Sequence, residues 1–249
     1  MTPQTKHPAV ANTDFSWRDV WPRRPDGDVA LPPGQRLVRA FPRFADNSLT
    51  PPPSTDGQIA VRVLGAVARP TTIDADALAT LARIDRTADF HCVTTWSLVG
   101  LRWSGWSLAE LWHQIIVPTA EPDPKARWIV ATGADGFRAR LHLDDALAAD
   151  PGDQVLIVDT LEGEPLDTTH GAPLRLVSPR QYGYKSIKHL DGIEVHVDEP
   201  PSAIGPKEHP RARVAREERH ARYPAQLLRW PYRLVVPATA VVTRWSARR

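Results

Sequence analysis

Proline sets the first limit on this chain. It supplies 25 of the 249 residues, about twice the usual ~5%. Each proline fixes one φ, removes one backbone donor and keeps the residue before it out of the helical region. The sequence therefore predicts many fixed turns, few long helices and a core assembled from short elements. Hydrophobic residues, at 42%, are enough to fill such a core.

The short apolar runs suggest what those elements are. Ile59, Val61 and Val63 alternate within Gln58 to Leu64, the pattern of a half-buried strand. Asp74 to Arg83 reads as a short helix with Leu78, Leu81 and Ala82 on one side. Ala88 to Val93 reads as a strand carrying Cys92 near its end. Ser107-Leu108-Ala109-Glu110 has the form of a capping box, and Leu108, Leu111, Trp112 and Ile115 make the apolar stripe of the helix it opens. Further strands are predicted over Trp128 to Ala131, Arg138 to Leu143, Gln154 to Asp159, Leu174 to Val177 and Ile193 to Val197, with one or two helical turns over Asp144 to Ala149. Short strands and helices without regular βαβ alternation point to an α+β fold. Residues 1–36 are polar and proline-rich and read as an extended arm, and Thr50-Pro51-Pro52-Pro53 as a stiff connector. From Lys207 to Arg222, six basic residues outnumber Glu208, Glu217 and Glu218, which reads as a solvated helix or tail.

Charge and cysteine usage exclude several functions. Lys plus Arg is 31 and Asp plus Glu is 29, a net charge of +2, without the basic excess of a nucleic-acid binder. The single cysteine permits neither an intramolecular disulfide, nor a Cys-rich zinc site, nor an iron–sulfur cluster held by several thiolates. The N-terminus lacks an apolar signal region, and Arg23-Arg24 runs into Pro25-Asp26-Gly27-Asp28 rather than an apolar run, so a cytoplasmic location is expected. No stretch reaches the ~18 apolar residues of a membrane span. Leu227 to Trp245 is broken by Arg229, Pro231, Arg233 and Pro237.

Two segments concentrate chemistry. One is Asp89-Phe90-His91-Cys92-Val93-Thr94-Thr95-Trp96-Ser97, followed by Leu101-Arg102-Trp103-Ser104-Gly105. The other is His170-Gly171-Ala172-Pro173-Leu174-Arg175, followed by Tyr182-Gly183-Tyr184-Lys185-Ser186-Ile187-Lys188. On these motifs, across roughly residues 38–198, the chain resembles the sulfite oxidase family of molybdopterin-dependent enzymes, especially its bacterial single-domain members. The resemblance implies an α+β catalytic core of mixed β-sheets and short helices over residues 38–200. A proline-rich arm (1–37) precedes it, and a basic tail (201–249) follows and packs on it. It implies one molybdenum–molybdopterin per chain, with the metal held mainly by the two dithiolene sulfurs of the pterin and by Cys92 as its one protein thiolate. A soft thiolate suits such a sulfur-rich site. By the same resemblance, His170 and Arg175 contact the pterin or its phosphate, and Ser186, Ile187 and Lys188 form a turn whose amides and ammonium bind the same group. Arg43 and Phe44 fall where the family lines the pterin, and Thr132 where it places a short polar contact.

The chain also departs from the animal and plant sulfite oxidases. Where those have an arginine soon after the metal cysteine, Val93-Thr94-Thr95-Trp96-Ser97 stands here, and Phe137 is the nearest match to their tyrosine beside the metal. No counterpart of their haem and dimerisation domains is expected. The expected activity is therefore oxygen-atom transfer on a small sulfur- or nitrogen-containing substrate, with sulfite disfavoured. A separate haem protein or flavoprotein is the expected electron partner. A non-catalytic molybdopterin carrier of the same fold is the alternative. A hydrolase built on His91 and Cys92 is disfavoured, because adjacent strand residues point to opposite faces. Trp96, Trp103 and Trp106 read as core rather than as an electron relay.

Overall fold

The computed structural model describes residues 18–24, 29–41, 53, 57–205, 208–217, 227 and 229–235. In chain order, these contain β1 (Arg36–Leu37), β2 (Ala60–Gly65), β3 (Thr71–Asp74), α1 (Ala75–Ala79), β4 (Ile84–His91) and β5 (Trp96–Ser107). Then follow α2 (Leu108–Leu111), a π-helical turn (Trp112–Ile116), α3 (Val117–Ala120), β6 (Trp128–Gly133), β7 (Arg138–His142) and α4 (Leu143–Ala146). β8 (Leu156–Leu161), β9 (Glu164–Pro165), β10 (Arg175–Val177), a 3-10 turn (Gly183–Lys185) and β11 (Leu190–His196) come next, and residues 229–235 are helical. Every helix is short, as the proline content requires.

The strands form two mixed sheets. One runs β1-β5-β8-β10, with β4 on the other side of β5 and β9 beside β8. The other runs β3-β2-β11-β6-β7, with β11 and β2 parallel. Their facing sides share the main core: Val61, Val63, Ile129, Ala131, Ile193 and Val195 from one sheet meet Trp106, Ile157 and Leu176 from the other. A second cluster lies on the opposite face of the first sheet and contains Phe41, Phe90, Cys92, Trp96, Leu98, Trp103, Leu156, Val158 and Val177. Strand parity produces this division. Ile157 enters the main core while Leu156 and Val158 enter the second cluster, and Leu176 and Val177 divide in the same way. Cys92 thus sits on the far side of a sheet from the main core.

Several local expectations change. The chain from 96 to 107 is one long strand, with Cys92 in the turn before it rather than inside β4. Ser107 does stand at the N-cap of α2, but its side chain makes no capping bond; its Oγ and Glu110 Oε2 are both buried without a partner among the described residues. The capping box is therefore not formed: Ser107 is also the last residue of β5, and pairing with Leu156 fixes its backbone. α1 is capped by Asp74, whose Oδ1 accepts from Ala77 N at 2.8 Å. Residues 208–217 are not a solvated helix. Glu208 and Ala212 are buried, Tyr182 N donates to Ala212 O, and Gln181 bridges to Arg213. The segment is stitched to the 3-10 turn because its carboxylate at 208 pairs with a buried lysine there.

Candidate functional site

Cys92 occupies a tight turn between β4 and β5. Thr95 N donates to Cys92 O at 3.0 Å and Cys92 N to Trp96 O at 2.9 Å, closing the loop on itself. Thr95 takes a positive φ of 73° to do so. Gln35 Nε2 donates to the same Cys92 carbonyl at 3.1 Å, and Arg36 N donates to Thr95 O, so the segment before β1 clamps the turn. Cys92 Sγ shares a hydrogen bond of 3.0 Å with Thr94 Oγ1. Burial pushes the Cys92 thiol up, against that hydrogen bond. A thiol held this way stays protonated at neutral pH, and would become a thiolate on binding a metal ion. His91 is engaged elsewhere: its Nδ1 lies 2.8 Å from Ser97 Oγ, which in turn donates to Gln35 Oε1.

The second segment is built around a close crossing of chains. Gly171, at φ +107°, lies so near Lys188 that a Cβ there would stand 3.0 Å from Lys188 Cα and Cβ. His189 N donates to Gly171 O, Ala134 N to His189 O and Leu176 N to Ile187 O, fixing the 170–173 and 186–189 turns against each other. His170 Nδ1 bonds Asp167 Oδ1 at 2.8 Å, and His189 Nδ1 bonds Ala172 O at 2.7 Å. A carbonyl oxygen only accepts, so Nδ1 of His189 carries a proton. Burial pushes both histidines down, outweighing Asp167 and the Ala172 carbonyl, so both rings are neutral. Each then keeps Nε2 as an acceptor. Lys188 Nζ donates to Thr169 O at 2.7 Å, and Ser178 N donates to Ser186 Oγ. Ile187 turns its side chain into the main core, leaving only its backbone for a ligand.

Arg175 joins the two segments. It is 1% exposed, and parity in β10 sends its side chain to the same face as Val177, into the Cys92 cluster. Its guanidinium carbon lies 5.0 Å from the Phe41 ring, 5.3 Å from Phe90 and 5.4 Å from Trp103. Nη1 donates to His170 O at 3.1 Å, while Nε is buried without a partner among the described residues. Burial lowers its pKa. Phe41 also meets His170 edge-on at 5.6 Å. Gly183 brings in the lysine turn: a Cβ there would stand 2.5 Å from the Phe90 ring.

Cys92, His170, Arg175 and the 186–188 turn are therefore brought together. Thr132 is not among them; its Oγ1 donates to Asp191 Oδ1 at 3.0 Å, in a depression shared with Arg62, Arg138 and Glu194. Phe137 packs on the main core rather than in the Cys92 cluster. Arg102 pairs with Glu162 and Arg138 with Glu194. Arg43 and Phe44 lie outside the described residues. Of the tryptophans near the loop, Trp96 and Trp103 are core of the Cys92 cluster and Trp106 is core of the other.

Comparison with known proteins bears on this arrangement. Residues 49–204 match the model of the oxidoreductase molybdopterin binding domain, more than half of the chain. The chain belongs to this molybdopterin-binding oxidoreductase family. A Bacillus subtilis (strain 168) protein named uncharacterized oxidoreductase YuiH is 30% identical over 172 residues, covering 69% of this chain and 82% of the relative. The fold is that of the sulfane dehydrogenase SoxCD structure from Paracoccus pantotrophus, with a TM-score of 0.52 at 19% identity. That likeness covers 63% of this chain and 42% of the SoxCD chain. The α+β core is thus the sulfite oxidase type, and the chain is a molybdopterin-dependent oxidoreductase.

The residues fit the family's cofactor. Arg175 has an unpartnered buried Nε, Lys188 adds a second cation, and the crossing at Gly171 leaves no room for a side chain. Neutral His170 and His189 offer acceptors to the amino and ring N–H groups of a pterin. His189, Phe41 and Gln35 escaped sequence reading. His189 directly follows the Ser-Ile-Lys turn, which was a usable signal; Phe41 and Gln35 lie far from both motifs and carried none.

Proposed function

We propose that Cys92 ligates the molybdenum of one molybdopterin per chain, and that the protein transfers an oxygen atom to or from a small sulfur- or nitrogen-containing substrate. The supporting observation is the buried cluster in which Cys92, Arg175, His170 and their aromatic neighbours meet. In this reading residues 38–200 are the catalytic unit, with the arm before it and the segment 201–249 packed on it. Arg175 and Lys188 hold the phosphate end, and the 186–188 turn offers its backbone to the same group. Arg43 and Phe44 would complete the pterin contacts. The bound cofactor supplies the two-electron oxygen-atom chemistry. The protein holds it through Cys92, keeps water away with Phe41, Phe90, Trp96 and Trp103, and leaves Nε2 of His170 and His189 to orient the pterin. A separate redox protein exchanges the electrons.

Cys92→Ser tests the assignment. Protein made in a cofactor-competent host should lose its thiolate-to-metal absorption and its activity while keeping its fold by circular dichroism. Unchanged absorption and turnover would sink the assignment. Molybdenum retained without turnover by the native protein, on sulfite, sulfoxides and N-oxides alike, would favour a carrier.

A further inference from the structure

Residues 229–235 are helical. Arg229, Tyr232 and Arg233 are half-buried, at the spacing of one helix face, whereas Leu227, Trp230 and Leu234 are 76%, 72% and 61% exposed. The inner face docks on Gly34. Arg233 Nη2 donates to Gly34 O at 3.2 Å, and a Cβ at Gly34 would overlap the Arg229 guanidinium. Gln35 and Arg36, which follow, are the two residues whose hydrogen bonds clamp the Cys92 turn, at 3.1 Å to Cys92 O and 3.1 Å to Thr95 O. Helix, clamp and turn form one stack. Tyr232 stands on the docked face between the two arginines. Burial first, and Cys92 second, pushes its phenol up.

We propose that residues 229–235 form a wall of the Cys92 site and that Tyr232 is a further site residue, governing which small molecules reach the sulfur. The docking of this helix on the segment that clamps the Cys92 turn does not depend on what Cys92 binds; its meaning for substrate rests on the reading of Cys92 as the metal ligand. A phenol offers a neutral hydrogen-bond donor, which suits the oxygen of an uncharged oxo compound better than a dianion that must be stripped of water.

The test uses full-length, cofactor-free protein. Cys92 is the only cysteine, so alkylation by a small maleimide, followed by mass spectrometry, reports on one sulfur. Tyr232→Ala and Arg233→Ala should each accelerate alkylation several-fold at an unchanged urea midpoint. Trp230→Ala, on the outer face, should react like the native protein. Equal rates in the native protein, Tyr232→Ala and Arg233→Ala would overturn the wall. So would an equal acceleration by Trp230→Ala, since that means general loosening. Should Tyr232→Ala lower the urea midpoint, Tyr232→Trp decides: a bulkier wall must slow alkylation, and an unchanged or faster rate refutes it. In cofactor-loaded protein, Tyr232→Phe should raise KM for a sulfoxide while molybdenum content stays constant; an unchanged KM removes Tyr232 from the site. Unchanged thiolate-to-metal absorption in Cys92→Ser would refute the ligand assignment and leave the alkylation result untouched.

Discussion

A buried cation is costly unless neighbours compensate it, and Arg175 is compensated by three aromatic rings and a carbonyl. Its planar guanidinium can stack between rings while presenting a donor edge, which a lysine ammonium cannot do. Arg175→Ala should therefore lower cofactor occupancy, by ~1.5–3 kcal/mol for each charged hydrogen bond lost, and Arg175→Lys should fail to restore it. Molybdenum per chain measures both, and full occupancy in either removes Arg175 from the cofactor site. Histidine protonation gives a second prediction. His170 and His189 are both held below their ordinary value by burial, so the unfolded chain binds more protons than the fold as pH falls through about 6.5. Stability is then complete above that pH and declines below it. Urea midpoints of cofactor-free protein should drop between pH 7.5 and 5.5, and His189→Gln should flatten the drop; a midpoint indifferent to pH would exclude buried neutral rings. The Cys92 and His170–Lys188 motifs were legible because residue types such as Cys, Arg and Lys in close spacing carry chemistry in themselves. The role of Arg175 inside an aromatic box was not, because its partners come from positions 41, 90 and 103.

Among elements, the 3-10 turn and the segment 208–217 share one buried ion pair. Lys185 Nζ, fully buried, donates to Glu208 Oε1 at 2.5 Å and to Arg140 O at 2.6 Å. Burial lowers Lys185 to about 8, partly offset by Glu208. Glu208→Ala strands a buried ammonium and should cost about 3–5 kcal/mol. Lys185→Met combined with Glu208→Ala should recover much of this, as read by urea unfolding; no recovery would mean that the pair is not the fastening. Gly183→Ala, which drives a methyl into the Phe90 ring, should cost about 1–3 kcal/mol as an overpacked contact. Sequence patterning located most strands to within a few residues, since alternation such as Val61 and Val63 records one buried face. It missed β5, because that strand is covered on both faces along much of its length and carries Gly100 and Gly105 within it. It also misread 208–217, where charge density suggested solvent although Glu208 is 1% exposed. A lone carboxylate does not announce that its partner lies 23 positions away and inside.

For the molecule as a whole, substrate charge is the open variable. Arg102 and Arg138, the cations nearest in sequence to an anion-pocket role, are spent on Glu162 and Glu194 at the surface. Sulfite should thus be turned over poorly, with kcat/KM well below the ~10⁴ M⁻¹s⁻¹ at which enzymes begin to act well on their own substrates. An uncharged sulfoxide should do better in a dye-linked assay, and efficient sulfite oxidation would overturn this expectation. The fold class followed from short elements without βαβ order, but the placing of two clusters on opposite faces of one sheet did not, since it depends on how distant strands pair. That arrangement also proofreads the alignment of the sheet. Were β10 to slide by one residue against β8, Leu176 would be carried to the aromatic box and a guanidinium would be driven into the oily interior between the sheets. The same side chain that is proposed to hold the cofactor makes the misaligned fold too costly to persist.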